Sequence, residues 1–257
     1  MRASNVISEI KKKPNSFYII HYSSESLYGE EKNAKSPRIT SIAVMQYETR
    51  QTKSFSLHAV AEELGFKPDQ IEENYDAIEN ELLKQFFNFA RDRRFHYWLH
   101  WNMRNQVFGF EHLEHRYRVT TQEVPQEVPQ EIPVEQRISI SDVLNEYYGD
   151  QYADHPKMLN LMKLNGDQPQ GWLRGEDEAE CFKSKDFIRM HASTLAKVNF
   201  FYFVISNALK GKLKTKGKNL GARADTLLES RGAKVLSLIG NIIAAIITIA
   251  AIIATIE

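Results

Sequence analysis

Apolar positions along this chain change their period several times, and each change predicts an element. Residues 16–23 (SFYIIHYS) follow Pro14 as an aromatic and β-branched run, which predicts a strand. Residues 38–47 (RITSIAVMQY) predict a second strand and 52–58 a third, with 48–51 as the turn between them. Residues 59–64 read as a short helix. Over 75–91 the residues Ile78, Leu82, Leu83, Phe86, Phe87, Phe89 and Ala90 recur at helical spacing. Residues 95–101 (FHYWLHW) return to strand character, and 107–116 to helix. Ser139 or Ser141 can cap a helix that runs to Tyr148. Residues 156–164 and 176–209 complete a helical half. Strands followed by helices argue for an α/β N-terminal domain, 1–118, with a helical C-terminal half, 138–209, in the same soluble unit.

Between these halves, 119–137 is a proline-rich excursion. Its repeat VPQEVPQEIPV (124–134) favours polyproline II and forbids helix, so it reads as a spacer. Near the end of the body, the run Phe200, Phe201, Tyr202, Phe203, Val204, Ile205 is interrupted upstream by Lys197 and Asn199. That clean apolar stretch is too short to cross a bilayer, and it reads as core or as an interface with a sister chain.

The tail differs. Residues 235–256 (VLSLIGNIIAAIITIAAIIATI) form a run without a charge. As a helix that run is ~33 Å long, which matches a hydrocarbon core of about 30 Å and predicts one C-terminal transmembrane helix. Its polar side chains are ordered: Ser237, Asn241, Thr248 and Thr255, with Ala244 and Ala251, follow a 4-3-4-3-4 spacing. At helical periodicity all six fall within an arc of about 80°. An asparagine facing lipid alone would be poorly satisfied, so this stripe implies self-association. It is either a dry dimer seam or the lining of a narrow uncharged pore, and a monomeric tail anchor is the plain alternative.

Charge sharpens the division. The chain has 33 basic and 33 acidic residues and no net charge. Residues 210–234 nonetheless carry a net +6 and the body, 1–209, a net −5. Lys210, Lys212, Lys214, Lys216 and Lys218 alternate with Gly, Leu and Thr in a juxtamembrane linker suited to anionic lipid headgroups. Basic flanks stay cytoplasmic, which predicts a cytoplasmic N-terminal body on a cell membrane. Residues 1–14 are charged and lack the apolar core of a secretory signal. Cys181 is alone, so no internal disulfide is possible, in keeping with a reducing compartment.

Candidate chemistry is sparse. The cluster Arg91, Arg93, Arg94, Trp101 and Arg104, interleaved with His96, Tyr97, Trp98 and His100, combines phosphate-pairing and base-stacking groups. Several of those aromatics must point into the core, because alternate strand residues face inward. His96 and His100 share one side of a strand with no third metal ligand, and His112 and His115 read as solvated or capping. There is no Gly-rich phosphate loop, Ser-His-Asp spacing or paired cysteine, and no cofactor is implied.

The order strand, strand, strand, helix, strand, helix, on FYIIHYSSE, ITSIAV and WLHWNMRNQVFGF, resembles the DEDD 3′–5′ exonucleases of ribonuclease H-like fold over about 16–118. That family carries Asp and Glu on its first strand and further Asp and His residues later, which hold two metal ions. Here the matching positions are His21 and Ser23, the second motif has Arg104 and Asn105, and His191 is the one remnant of the late motif. Glu25 and Glu48 are the acids nearest to hand. The resemblance therefore implies a degenerate, catalytically dead domain with no metal.

A dead nuclease-like domain, a linker and one terminal helix together resemble the membrane effector of the Hailong anti-phage defence system. That resemblance implies a homotetrameric ion channel acting in abortive infection. It implies gating by single-stranded DNA or oligonucleotide that a partner nucleotidyltransferase makes, with the bound ligand holding the channel closed. Two other readings stay open: a tail-anchored active nuclease, and a membrane-tethered adaptor without a pore.

Overall fold

Strand β1 (Phe17–Ser24) is buried at all but one position, which fits a sequence without any charged residue and without a polar–apolar alternation. The structure, a computed structural model, describes residues 2–25, 36–104, 108–121, 132–166 and 168–216. In it β1 is the middle strand of a five-stranded sheet of order β3-β2-β1-β4-β5. β2 (Ile39–Gln46) and β3 (Thr52–Ser56) continue β1 as an antiparallel meander. The turn between them holds Arg50 at φ 61°, and the Gln46 side chain accepts from the Thr49 N–H at 2.6 Å. β4 (Tyr97–His100) and β5 (Arg137–Ser139) lie parallel to β1 on its other side.

Parallel neighbours need crossovers, and helices supply them. α2 (Leu57–Glu63) and α3 (Tyr75–Arg91) lead from β3 to β4, and α4 (Phe110–Thr120) lies between β4 and β5. These three helices pack on Ile20, Tyr22, Ile42, Val44 and Trp98, which occupy one face of the sheet. The opposite face, Phe17, Ile19, Ala43, Met45 and Leu99, is covered by α1 (Ala3–Lys12), α5 (Ile140–Tyr148), α6 (Lys157–Asn165) and α8 (Phe187–Leu209). α7 (Gly175–Lys183) lies against α8 and β1. The molecule is thus an α/β fold around a mixed sheet.

Several expected elements coincide with observed ones. α3 has the expected bounds, and Ser139 caps α5, its Oγ accepting from the Asp142 N–H at 3.3 Å. The stretch 176–209 holds two helices: Lys185 takes φ 63° between them, and Asp186 caps α8 through the Arg189 N–H at 3.1 Å. α1 and the three-residue β5 were not legible as elements. α1 packs Ala3, Val6 and Ile10, spaced three and four apart, into the second core. Among the described residues no helix is long and apolar enough to cross a membrane. The expected span 235–256 with its polar stripe, Asn105, Lys218 and most of the proline repeat lie outside the described residues.

His112 corrects an expectation. It is not solvated but fully buried, with Nδ1 2.9 Å from the Tyr22 hydroxyl and Nε2 2.9 Å from the Pro37 carbonyl. The carbonyl can only accept, so Nε2 carries the proton and Nδ1 accepts from Tyr22. This joins β1, α4 and the start of β2 through one ring.

Candidate functional site

Two polar residues of β1, His21 and Ser23, face α8. Side chains alternate along a strand, so Phe17, Ile19, His21 and Ser23 share the α8 face. Ser23 is register-paired with Ser41 on β2, which brings the two hydroxyls side by side. From α8, Thr194, Lys197 and Phe201 descend on that position at intervals of three and four, and α7 supplies Glu178.

Together these residues form a closed polar centre in an otherwise apolar layer. Lys197 Nζ lies 2.7 Å from Glu178 Oε1, and both side chains are 7% exposed. Ser23 Oγ donates to the same carboxylate oxygen at 3.0 Å. Thr194 Oγ1 is 2.8 Å from Ser23 Oγ and 2.5 Å from Ser41 Oγ. Ser23 gives its proton to Glu178, so Ser41 donates to Thr194, whose own proton goes to Ser23 or to the Met190 carbonyl at 3.1 Å. His21 completes the centre, its ring edge-on to Phe201 at 5.6 Å and tilted on Phe108 at 5.9 Å. Neither nitrogen of His21 has a hydrogen-bond partner among the described residues. Burial, and then the neighbouring Lys197 charge, hold His21 neutral, well below the ordinary imidazole range.

This donor set does not fit a pair of divalent cations. Two magnesium-type ions need several carboxylate oxygens, and here the one carboxylate is already neutralised by an ammonium. Glu25 and Glu48 cannot be recruited together, since they lie beyond opposite ends of the β1–β2 pair. His191 does not reach the centre either and instead faces His58. Comparison with family models, curated proteins and solved structures finds no match for the chain.

The basic and aromatic cluster is divided by the fold. Arg91, Arg93 and Arg94 precede β4, whereas Trp101 and Arg104 follow it, so they sit at opposite ends of that strand. Trp101 is buried and stacked on Phe201 at 5.6 Å, a core position rather than a base platform. Arg104 donates to Asp142 at 2.6 Å and to Asn102 at 2.7 Å. Arg93 lies 3.9 Å over the Phe89 ring and donates to the Tyr18 hydroxyl at 3.2 Å. Arg94 lies 4.5 Å over Phe95, whose ring is 73% exposed, and Arg91 is solvent-facing beside them. The part of the cluster open to a ligand is therefore the α3–β4 turn. Of the linker lysines, Lys210, Lys212, Lys214 and Lys216 are described, and Lys216 pairs with Asp154 at 2.7 Å.

In the sequence, Lys197 is an interruption of an apolar helix, and Glu178 is one acid among several in a row. A signal existed for the lysine. It shares a helix face with Thr194 and Phe201, and a lysine at such a position is buried only when paired. Nothing local marks Glu178, which is 19 residues away in sequence and meets Lys197 only through the α7–α8 packing.

Buried neutral histidines make this fold acid-sensitive. Burial holds His100 down to about 3 and His112 to about 4. Between pH 6.5 and 4 the unfolded chain takes up protons that the folded one refuses, so stability falls as pH falls, by up to about 1.4 kcal/mol per pH unit for each such group. Melting temperature measured across that range should drop steadily, and His112→Gln should show a shallower slope. Parallel slopes for the two proteins would remove His112 from this account.

Proposed function

We propose that the protein is an oligomeric membrane effector whose N-terminal domain is a nuclease-like fold without nuclease chemistry. On this reading the domain binds single-stranded DNA or an oligonucleotide, and the bound ligand holds a channel of C-terminal helices closed. The observation that carries it is the Lys197–Glu178 pair, an ammonium resident beside His21 and Ser23, where the resembled exonucleases keep metal-binding carboxylates. The antiparallel meander followed by parallel helical crossovers supports a ribonuclease H-like assignment, since it matches the strand and helix order on which the resemblance rests.

The phosphate-facing surface on this reading is the α3–β4 turn, with Arg91 and Arg94 for phosphates and the exposed Phe95 ring for a base. The channel is the stripe Ser237, Asn241, Ala244, Thr248, Ala251 and Thr255, turned inward in a homotetramer. Lys210, Lys212, Lys214 and Lys218 hold the assembly at anionic headgroups, Lys216 being paired with Asp154, with the body on the cytoplasmic side of a bacterial cell membrane. A nucleotidyltransferase would supply the ligand, and its loss would open the channel and arrest the infected cell. Moving from 1:99 to 99:1 open needs ~5.5 kcal/mol of differential binding, which several phosphate contacts can supply in a salt-dependent manner.

Ion flux in proteoliposomes tests this directly. The full chain stripped of nucleic acid should conduct, and added single-stranded oligonucleotide should reduce the flux. Asn241→Leu and Thr248→Leu should each change conductance by roughly severalfold if they line the path. Unaltered flux in both variants would remove the pore. Chelator-sensitive cleavage of labelled single strands would instead establish an active nuclease.

A further inference from the structure

Two histidines outside the polar centre lie ring against ring. His58 lies in the first turn of α2, where the chain leaves the outer strand β3, and His191 lies in the second turn of α8. Their ring centroids are 5.2 Å apart and their planes meet at 46°. Nδ1 of His58 and Nε2 of His191 are both shielded from solvent, and neither has a hydrogen-bond partner among the described residues. Buried polar atoms are nearly always satisfied, so two orphan nitrogens on facing rings call for a guest.

The chemistry of the pair restricts that guest. An uncharged imidazole carries one free in-plane lone pair, and Nδ1 of His58 and Nε2 of His191 are the nitrogens left without a partner among the described residues. Two imidazoles on one tetrahedral ion, with bonds of about 2.0–2.1 Å, put their ring centroids about 5 Å apart, the spacing seen here. Glu62 is one helical turn beyond His58, and its charge already acts on that ring. As the side chains stand, no three potential ligands are gathered among the described residues. Glu62 is exposed, however, and its carboxylate can swing inward without leaving a buried partner behind.

We propose that His58 Nδ1 and His191 Nε2, with Glu62 as a third ligand, bind one late first-row divalent cation of the zinc class. Nitrogen donors disfavour Mg²⁺ and Ca²⁺ and suit Zn²⁺, Ni²⁺, Co²⁺ and Cu²⁺. The ion would clip α2, at the sheet edge, to α8, the helix that leads into the basic segment at 210–216. Because it would bind only the folded chain, it would raise the melting temperature by mass action.

Calorimetric titration of Zn²⁺ into the chelator-treated full chain in detergent tests the site, with the visible absorption of bound Co²⁺ as a second readout. One Zn²⁺ per chain is expected. Affinity should fall roughly tenfold or more in His58→Gln and in His191→Gln, and less in Glu62→Gln. His115→Gln, at an exposed histidine of α4, should bind like the parent. Should the parent chain take up no Zn²⁺ at about 100 μM, or should both histidine variants bind as the parent does, the proposal is overturned. These measurements involve neither nucleic acid nor ion flux, so they stand or fall separately from the proposed function.

Discussion

Replacing Lys197 by methionine is expected to cost about 3–5 kcal/mol, because it strands the Glu178 carboxylate in a layer that water does not reach. Methionine is one heavy atom shorter than lysine and keeps most of its apolar stem, so little cavity forms and the loss is mainly electrostatic. Glu178 would retain only the Ser23 hydroxyl, at 3.0 Å, as a described partner. For a fold of this size the loss lowers the melting temperature on the order of 10 °C. The double variant Lys197→Met with Glu178→Gln removes both charges and should recover most of the deficit, since neutral replacement of a buried pair is tolerated far better than half of it. Thermal unfolding of the full chain in detergent reads both. A Lys197→Met protein melting with the parent, or a double variant no better than the single, would show that the pair does not hold α7 and α8 on the sheet.

The second large effect is expected on the other face. Arg116 of α4 forms a salt bridge with Glu79 of α3, with Arg116 Nε donating at 2.9 Å, and the Glu79 carboxylate also accepts from the Ile39 N–H at 2.7 Å. The pair thus holds two helices and the first residue of β2 together, and Glu79 is wholly buried. Arg116→Met should destabilise by about 3–5 kcal/mol near neutral pH. Its pH dependence carries a sign. Burial already pushes the Glu79 carboxyl up with Arg116 beside it, and without the guanidinium it rises further above its unfolded value. The deficit is then smallest below that unfolded value and grows as pH rises toward the folded one. Melting curves at pH 5 and pH 8 should therefore show a smaller gap from the parent at pH 5. An equal gap at both would mean that Glu79 finds another partner.

Particular elements show what could be read in advance. α3 was legible to the residue because its seven apolar positions repeat with one helical period and no competing signal. β1 and β2 were legible because β-branched and aromatic residues crowd them. β5 was not, because three residues carry too little pattern, and its strand state comes from the Trp98–Arg137 and His100–Ser139 pairings with β4. In α1 polar residues outnumber apolar ones, so its composition hides the buried stripe that Ala3, Val6 and Ile10 mark. The α7–α8 break depends on Lys185 adopting a left-handed backbone, which lysine does not advertise.

The candidate sites divide in the same way. A run of aromatic and basic residues suggested one ligand surface, but sequence proximity says nothing about which end of a four-residue strand a side chain occupies. Trp101 went to the core with Phe201, and Arg104 to Asp142. The absence of carboxylates at His21 and Ser23 could be read directly, because residue identity alone sets which groups can hold a hard cation.

By itself the sequence determined the α/β character, the three-strand beginning, the absence of acids on the first strand and the division between an acidic body and a basic, apolar tail. Those are properties of composition and short-range period, and neighbours along the chain suffice to establish them. Only the tertiary structure decided that Lys197 meets Glu178, that His112 bridges Tyr22 and Pro37, and that His58 faces His191. Each of those contacts joins residues far apart in the chain. Its worth depends on the exclusion of water, which no local pattern encodes until the helices close over the sheet.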